Sequence, residues 1–75
     1  MREEVTSIRL EGLAAWGKVR EVGLEECSDG RARVVARLVD GREVVTPCME
    51  LGAAGRTVLI VKQYAKRWAH LIVTG

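Results

Sequence analysis

The sequence lacks several residue types, and their absence narrows its chemistry. Among its 75 residues there is no phenylalanine and no asparagine, and glutamine, proline and histidine occur once each. Sparse amide side chains are typical of thermophile proteins. The single histidine, His70, and the two cysteines, Cys27 and Cys48, do not have the spacing of metal ligands, so we expect no metal site. We expect both cysteines to be buried thiols.

Long apolar runs are also absent. The longest, residues 58–61, is far too short to span a bilayer, and the charged start MREEV is not followed by the apolar segment of a signal peptide. We therefore expect a cytoplasmic protein that does not contact a membrane. Residues 1–75 are expected to form one domain. Because so short a chain buries only about 60% of its unfolded surface, we expect a homo-oligomer.

Acidic side chains are missing from the last third of the chain. The formal net charge is only +2, but every Asp and Glu lies at or before Glu50. Residues 51–75 carry four cations, Arg56, Lys62, Lys66 and Arg67. This asymmetry fits a solvated surface as well as a surface that faces an anion, and the sequence does not decide between them.

Two Asp-Gly pairs predict β-hairpins. They lie in "SDGR" at residues 28–31 and in "VDGR" at residues 39–42. Both residues of such a pair accept positive φ, which two-residue hairpin turns require. Between them, residues 31–39 alternate strictly, which predicts a strand with Ala32, Val34, Ala36 and Leu38 on one face and the arginines on the other.

The composition also predicts strands at four other stretches, residues 6–10, 16–24, 42–48 and 57–64, and a final strand at residues 69–75. Residues 4–19 also fit a helix, but Gly12 and Gly17 would each cost about 1 kcal/mol inside it, which favours strand–turn–strand. So many short strands leave few exposed sheet edges only if the sheet closes. We therefore predict an all-β fold, a small closed barrel of five to six strands.

Three stretches together resemble the TOBE domains and the stand-alone molybdate-binding (Mop, molbindin-like) proteins, which have an OB-type barrel. They are "TSIRLEGLAAWGKV" at residues 6–19, "RVVARLVDGREVV" at residues 33–45 and "ELGAAGRTVLIVK" at residues 50–62. The resemblance covers residues 6–75. It implies an oligomer that binds molybdate or tungstate at its subunit interfaces and has no other cofactor.

By position, the resemblance implies an oxyanion site. Ser7 and Arg9, from the opening "SIR", and Lys62, from "IVK", would supply hydroxyl and cationic donors. Thr46 would remain from the hydroxyl-rich stretch of the family, and Leu10 stands where the family has asparagine. A tetrahedral dianion needs many such donors and some positive charge.

Two alternatives use other residues. The stretch "VVARLVDGREVV" also resembles the first motif of Sm-like RNA-binding proteins. A nucleic-acid surface would use Arg31, Arg33, Arg37 and Trp68. A protein-interaction module would instead use an exposed β-edge or the surface around Trp68. No convergent carboxylates and no cysteine–histidine pair are apparent, so we expect no enzyme.

Overall fold

The computed structural model describes the backbone of residues 2–74 and the side chains of residues 2–68. The elements in chain order are β1 (Arg2–Glu4), α1 (Ser7–Ala15), β2 (Val19–Glu26), β3 (Arg31–Leu38), β4 (Glu43–Val45), β5 (Met49–Glu50) and α2 (Leu51–Thr74). The predicted all-β barrel is therefore wrong. The chain forms a mixed α/β fold with an open sheet.

The sheet has the order β1-β4-β3-β2, and the short β5 pairs with β3 beside β4. β1 runs parallel to β4, whereas β2 and β4 run antiparallel to β3. α2 packs on one face of β2 and β3, and α1 packs against α2. Within residues 2–74 no helix lies on the other face of the sheet, so this face is open. The strand order makes β1 and β2 the two edge strands.

The hairpin predictions are confirmed. Asp29 and Gly30 turn β2 into β3 with φ of 61° and 71°, and Gly41, with φ of 93°, lies in the turn into β4. The predicted alternation along β3 is also confirmed, because Ala32, Val34, Ala36 and Leu38 are all buried. These residues face the helices.

The strand predicted at residues 6–10 is wrong, because those residues begin α1. The Oγ of Thr6 caps the helix by accepting from the N–H of Arg9 at 3.1 Å, which satisfies a donor that has no partner within the helix. Leu10 and Ala14 on one face are fully buried. Burial of this face outweighs the low helix propensity of Gly12.

Gly17 follows the C-cap of α1, and the local geometry explains why this residue is a glycine. Its φ is +75°, and its N–H donates to the carbonyl of Ala14 while the N–H of Lys18 donates to that of Leu13. These two bonds form a Schellman motif. A Cβ on Gly17 would also lie 2.9 Å from the ring of Trp68, so both the turn and the packing require glycine.

The strands predicted at residues 57–64 and 69–75 are wrong as well. Residues 51–74 form the single helix α2, and residue 75 lies outside the described residues. The buried residues Ala54, Thr57 and Val61 follow a helical spacing that the β-branched composition conceals. Among the described residues, no helix has both the length and the apolar composition needed to cross a membrane.

The core consists of small aliphatic side chains between the helices and the sheet. The fully buried Leu10, Val34, Val44 and Val61 come from four different elements. Trp16 is 78% exposed. Tyr64 packs at the margin of the core, so the described aromatic side chains support the periphery of the fold and aliphatic residues fill its centre.

The expectation of two buried thiols is wrong. Cys27 and Cys48 form a disulfide with a Cα–Cα distance of 6.3 Å. Cys27 directly follows β2 and is half-buried, whereas Cys48 directly precedes β5 and is exposed. The sequence spacing gave no sign of this pairing, because the hairpin and the return of the chain to β3 bring the two residues together.

Candidate functional site

A groove of about 520 Å³ lies between the edge strand β2 and the helix α2. Its lining residues are Arg20, Glu21 and Val22 from β2 and Leu59, Lys62, Gln63, Ala65 and Lys66 from α2. α2 crosses the face of the sheet on which the helices pack, but it does not cover the outer edge of β2. This edge and the side of α2 therefore form a groove. The groove therefore has a strand as one wall and a helix as the other.

The floor of this groove is apolar and its rim is cationic. Val22 and Leu59 supply apolar surface, and Leu59 is 62% exposed although it is a large aliphatic residue. Three cations, Arg20, Lys62 and Lys66, stand around it with one carboxylate, Glu21. Among the side chains of residues 2–68, none of these three cations takes part in an ion pair. Their positive charge is available to a ligand.

The outer edge of β2 has backbone groups without a strand partner. In the described part of the sheet β2 pairs only with β3. The N–H of Cys27 donates to the carbonyl of Arg31 at 2.8 Å, and hydrogen-bonded pairs alternate along an antiparallel ladder. The residues of β2 that bond to β3 are therefore Glu21, Gly23 and Glu25. Those whose N–H and C=O groups point outward are Val22, Leu24 and Glu26.

The bonds on the other side of β3 support this alternation. The carbonyl of Val34 accepts from the N–H of Thr46 at 2.9 Å, and the N–H of Leu38 donates to the carbonyl of Arg42 at 2.8 Å. Even-numbered residues of β3 thus bond to β4, which leaves its odd-numbered residues for β2. The outer edge of β2 can accept a further strand, which would lie along the groove.

The open face of the sheet has a different electrostatic character. Arg2 on β1 donates to Glu25 and to Glu43, each at 2.9 Å. Arg33 also pairs with Glu25, and Arg37 lies 3.7 Å from Glu43. Hydrogen bonds from Arg2 and then Arg33 lower the pKa of Glu25 to about 2. The charges on this face compensate one another.

The residues predicted for nucleic-acid binding lie in two different places. Arg33 and Arg37 belong to the ion pairs of the open face, and Arg31 donates to the carbonyl of Cys48 at 3.3 Å. The ring of Trp68 packs on Gly17, and its Nε1 donates to the carbonyl of Ala15 at 3.3 Å. The structure therefore does not bring Trp68 to the arginine face, where it would have to stack on bases.

The residues predicted for oxyanion binding are also dispersed. Thr46 is buried, and its Oγ accepts from the N–H of Val34 and donates to the carbonyl of Pro47, so it completes the β3–β4 pairing. Ser7 begins α1, where its Oγ lies 3.9 Å from the sulfur of Met49, and Arg9 is exposed on the same helix. Of the four predicted residues only Lys62 lines the groove.

Sequence reasoning singled out Lys62 but missed its neighbours Arg20 and Lys66 as partners. The acid-free C-terminal third was the available signal, since it left the cations of α2 without nearby carboxylates. Lys62 and Lys66 are four residues apart, so a helix predicted over this stretch would have placed both on one face. That β2 is a sheet edge beside this helix could not be derived, because residues 57–64, which include Lys62, were predicted to be a strand, and residues 65–68, which include Lys66, were assigned to no element.

The described side chains contain no group of three or more His, Cys, Asp or Glu residues placed to hold a metal ion. The side chain of His70 lies outside the described residues. Comparison with protein-family models, with curated proteins and with solved structures found no match to this chain. The resemblance to TOBE domains thus stays a prediction, and the barrel it implies is not the fold observed.

Proposed function

We propose that this protein is an interaction module that binds an extended, acidic segment of another protein along the outer edge of β2. The observation that carries the proposal is the coincidence of an unpaired strand edge with a cation-rimmed apolar groove. Strand addition of this kind derives affinity from main-chain hydrogen bonds and specificity from pockets for alternate side chains. A groove between an edge strand and a helix supplies both.

The charge of the groove selects the occupant. Arg20, Lys62 and Lys66 stand against the single carboxylate Glu21, so the groove favours a partner segment with carboxylates. A second copy that added its own β2 would bring another set of the same cations into the shared groove. We therefore assign the site to an acidic partner segment, and binding of a second copy is an outcome that the test must distinguish.

The side-chain pattern of the segment follows from the two faces of β2. Val22 is paired with the buried Ala36 and faces the helices, whereas Glu21 and Glu25 lie opposite arginines on the open face. In an added strand, the residues on the helix side would meet the apolar floor and the lysines. Those on the other side would lie beside the two glutamates. Carboxylates therefore belong on the groove side only.

The test is a calorimetric titration with two peptides as long as β2, which has 8 residues. The glutamate peptide repeats Thr-Val-Thr-Glu twice, and the lysine peptide repeats Thr-Val-Thr-Lys twice. We expect saturable binding of the glutamate peptide that weakens as salt is raised, and no binding of the lysine peptide.

Equal binding of both peptides, or of neither, contradicts the proposal. The protein's mass is measured by light scattering over the same concentration range without peptide. A dimer that dissociates when the glutamate peptide binds would show that a second copy occupies the edge in the free protein. A dimer that persists while no peptide binds would contradict the proposal and assign the edge to a second copy.

A further inference from the structure

The two walls of the groove are joined covalently at one end. β2 ends at Glu26 and is followed at once by Cys27, and Cys48 lies just before β5, which leads directly into α2 at Leu51. The disulfide thus connects the strand wall to the segment that begins the helix wall. The groove itself lies farther along both elements, at residues 20–22 of β2 and 59–66 of α2.

Among the described residues, few backbone pairs and side-chain hydrogen bonds hold β5 at this end. β5 consists of two residues, and its pairing with β3 joins Arg31 to Glu50 and Ala32 to Met49. The Arg31 guanidinium donates to the carbonyl of Cys48 at 3.3 Å. At the other end, the packing of Trp68 on Gly17 anchors α2 to the end of α1. The disulfide therefore anchors the start of α2 and Trp68 anchors its far part, in addition to the core packing of Ala54, Thr57 and Val61.

The disulfide is open to a reductant, because Cys48 is exposed and Cys27 is half-buried. We propose that it is a redox-sensitive strap that sets the affinity of the groove for its acidic partner. This inference rests on the proposed function. A dithiol attacks one sulfur as its thiolate, forms a mixed disulfide and then closes on itself. Two electrons and two protons pass to the protein, which leaves two thiols, and the reductant becomes a disulfide.

Reduction acts on the groove through the start of α2. Without the bridge, β5 is held by its two residue pairs with β3 and by Arg31, and the first turns of α2 are held by the burial of Ala54 and Thr57. A helix wall that moves relative to the strand wall makes the groove less pre-organised for a bound strand, and ordering it on binding lowers the affinity. The oxidised form is therefore the strong binder and the reduced form the weak one.

The experiment compares oxidised protein, protein reduced with dithiothreitol and the double variant Cys27→Ser/Cys48→Ser. Binding of the glutamate peptide and amide hydrogen exchange are both measured. We expect reduction to raise the dissociation constant at least about fivefold, and to speed exchange at residues 51–58 at least about tenfold more than it speeds exchange in β3 and β4. The variant should match the reduced protein with or without dithiothreitol.

Unchanged exchange at residues 51–58 after reduction overturns the proposal whatever happens to the peptide. Faster exchange with an unchanged dissociation constant overturns the regulatory role but leaves the function of the groove standing. Exchange that rises as much in β3 and β4 as at residues 51–58 also overturns it, because the bridge then stabilises the fold as a whole and not the start of α2 in particular. If the oxidised protein does not bind the glutamate peptide at all, the proposed function fails and the redox regulation fails with it.

Discussion

The open face of the sheet and the β2–α2 groove both carry arginine or lysine, yet they use the charge differently. On the open face, Arg2 and Arg33 share Glu25, and the ion pairs neutralise the surface. In the groove, Lys62 and Lys66 project from a helix that has no carboxylate anywhere along it. Cations with partners stabilise a surface, whereas cations without partners beside apolar surface favour a ligand.

The difference arises from which elements contribute to each surface. Strands β1 to β4 come from the first two thirds of the chain, which holds all the acidic residues, so their exposed face carries both signs of charge. α2 comes from the acid-free third and faces β2 along the groove. The charge asymmetry seen in the sequence therefore becomes a spatial separation in the fold.

The largest effect on stability is expected from removing the disulfide, which acts at one end of the groove and not on the open face. In Cys27→Ser/Cys48→Ser, the free energy of unfolding should fall by about 3 kcal/mol, because the unfolded chain regains the entropy of a closed loop of some 20 residues. Urea unfolding measures it. Wild-type protein in dithiothreitol should match the variant, and an unchanged urea midpoint would contradict the prediction.

Gly17 tests the opposite anchor of α2. In Gly17→Ala, the free energy of unfolding should fall by about 2 kcal/mol, since the new Cβ adds strain at φ of +75° and meets the Trp68 ring at 2.9 Å. Gly12→Ala is the matched control, because the residue is inside α1 and no described atom outside the adjacent helix backbone lies within 4 Å of its Cβ position. That variant should gain about 0.5–1 kcal/mol. Equal effects in the two variants would sink this account of Gly17.

Neutralising two cations on each surface compares the surfaces directly. Lys62→Gln/Lys66→Gln should weaken binding of the glutamate peptide about tenfold and leave the urea midpoint nearly unchanged. Arg33→Gln/Arg37→Gln removes the same charge from the open face. It should lower the urea midpoint slightly without weakening binding of the glutamate peptide. Calorimetry and urea unfolding measure both. A similar loss of affinity in both variants would show that only net charge matters.

The smallest effect is the pH dependence of the open face. The pKa of Glu25 is lowered from 4.5 to about 2 by its bonds with Arg2 and Arg33, so its contribution to stability is present above the unfolded value and is lost as pH falls from 4.5 towards 2. Glu25→Gln should be slightly less stable than wild type near pH 7 and equal to it near pH 2.

Glu26→Gln serves as the control, because Glu26 is the next residue of β2 and is not among the described ion pairs. It should have nearly the same urea midpoint as wild type near pH 7. A difference between Glu25→Gln and wild type that persists unchanged at low pH would mean that the ion pairs are not its cause.

The sequence allowed the central hairpins to be predicted because their signals are local. Asp29 and Gly30 need positive φ, and the alternation along β3 is visible in the residues themselves. The helices were missed for a physical reason. Residues 57–64 are rich in β-branched side chains, but the cost of each in a helix is under about 1 kcal/mol, and burial of Ala54 and Val61 outweighs it.

The candidate site could be predicted only in part. Lys62 was singled out as an oxyanion donor by its position in the TOBE-like segment, and the absence of nearby acid was visible in the sequence. The disulfide and the groove depend on contacts between distant segments, since β2 becomes an edge only when β3 pairs with β4 on its other side. Neither the distance between Cys27 and Cys48 nor the edge position of β2 is encoded in local spacing.

The central claim is that an acidic segment adds to the outer edge of β2, and amide hydrogen exchange along β2 tests it most directly. When the glutamate peptide is added, the outward amides of Val22, Leu24 and Glu26 should become protected. The exchange of Glu21, Gly23 and Glu25, whose amides already bond to β3, should change little.

Leu24→Pro removes one outward N–H without removing a bond to β3, and it should abolish this protection, whereas Leu24→Ala should keep it. Binding that protects both sets of β2 amides equally, or protects none of them, would contradict strand addition at this edge.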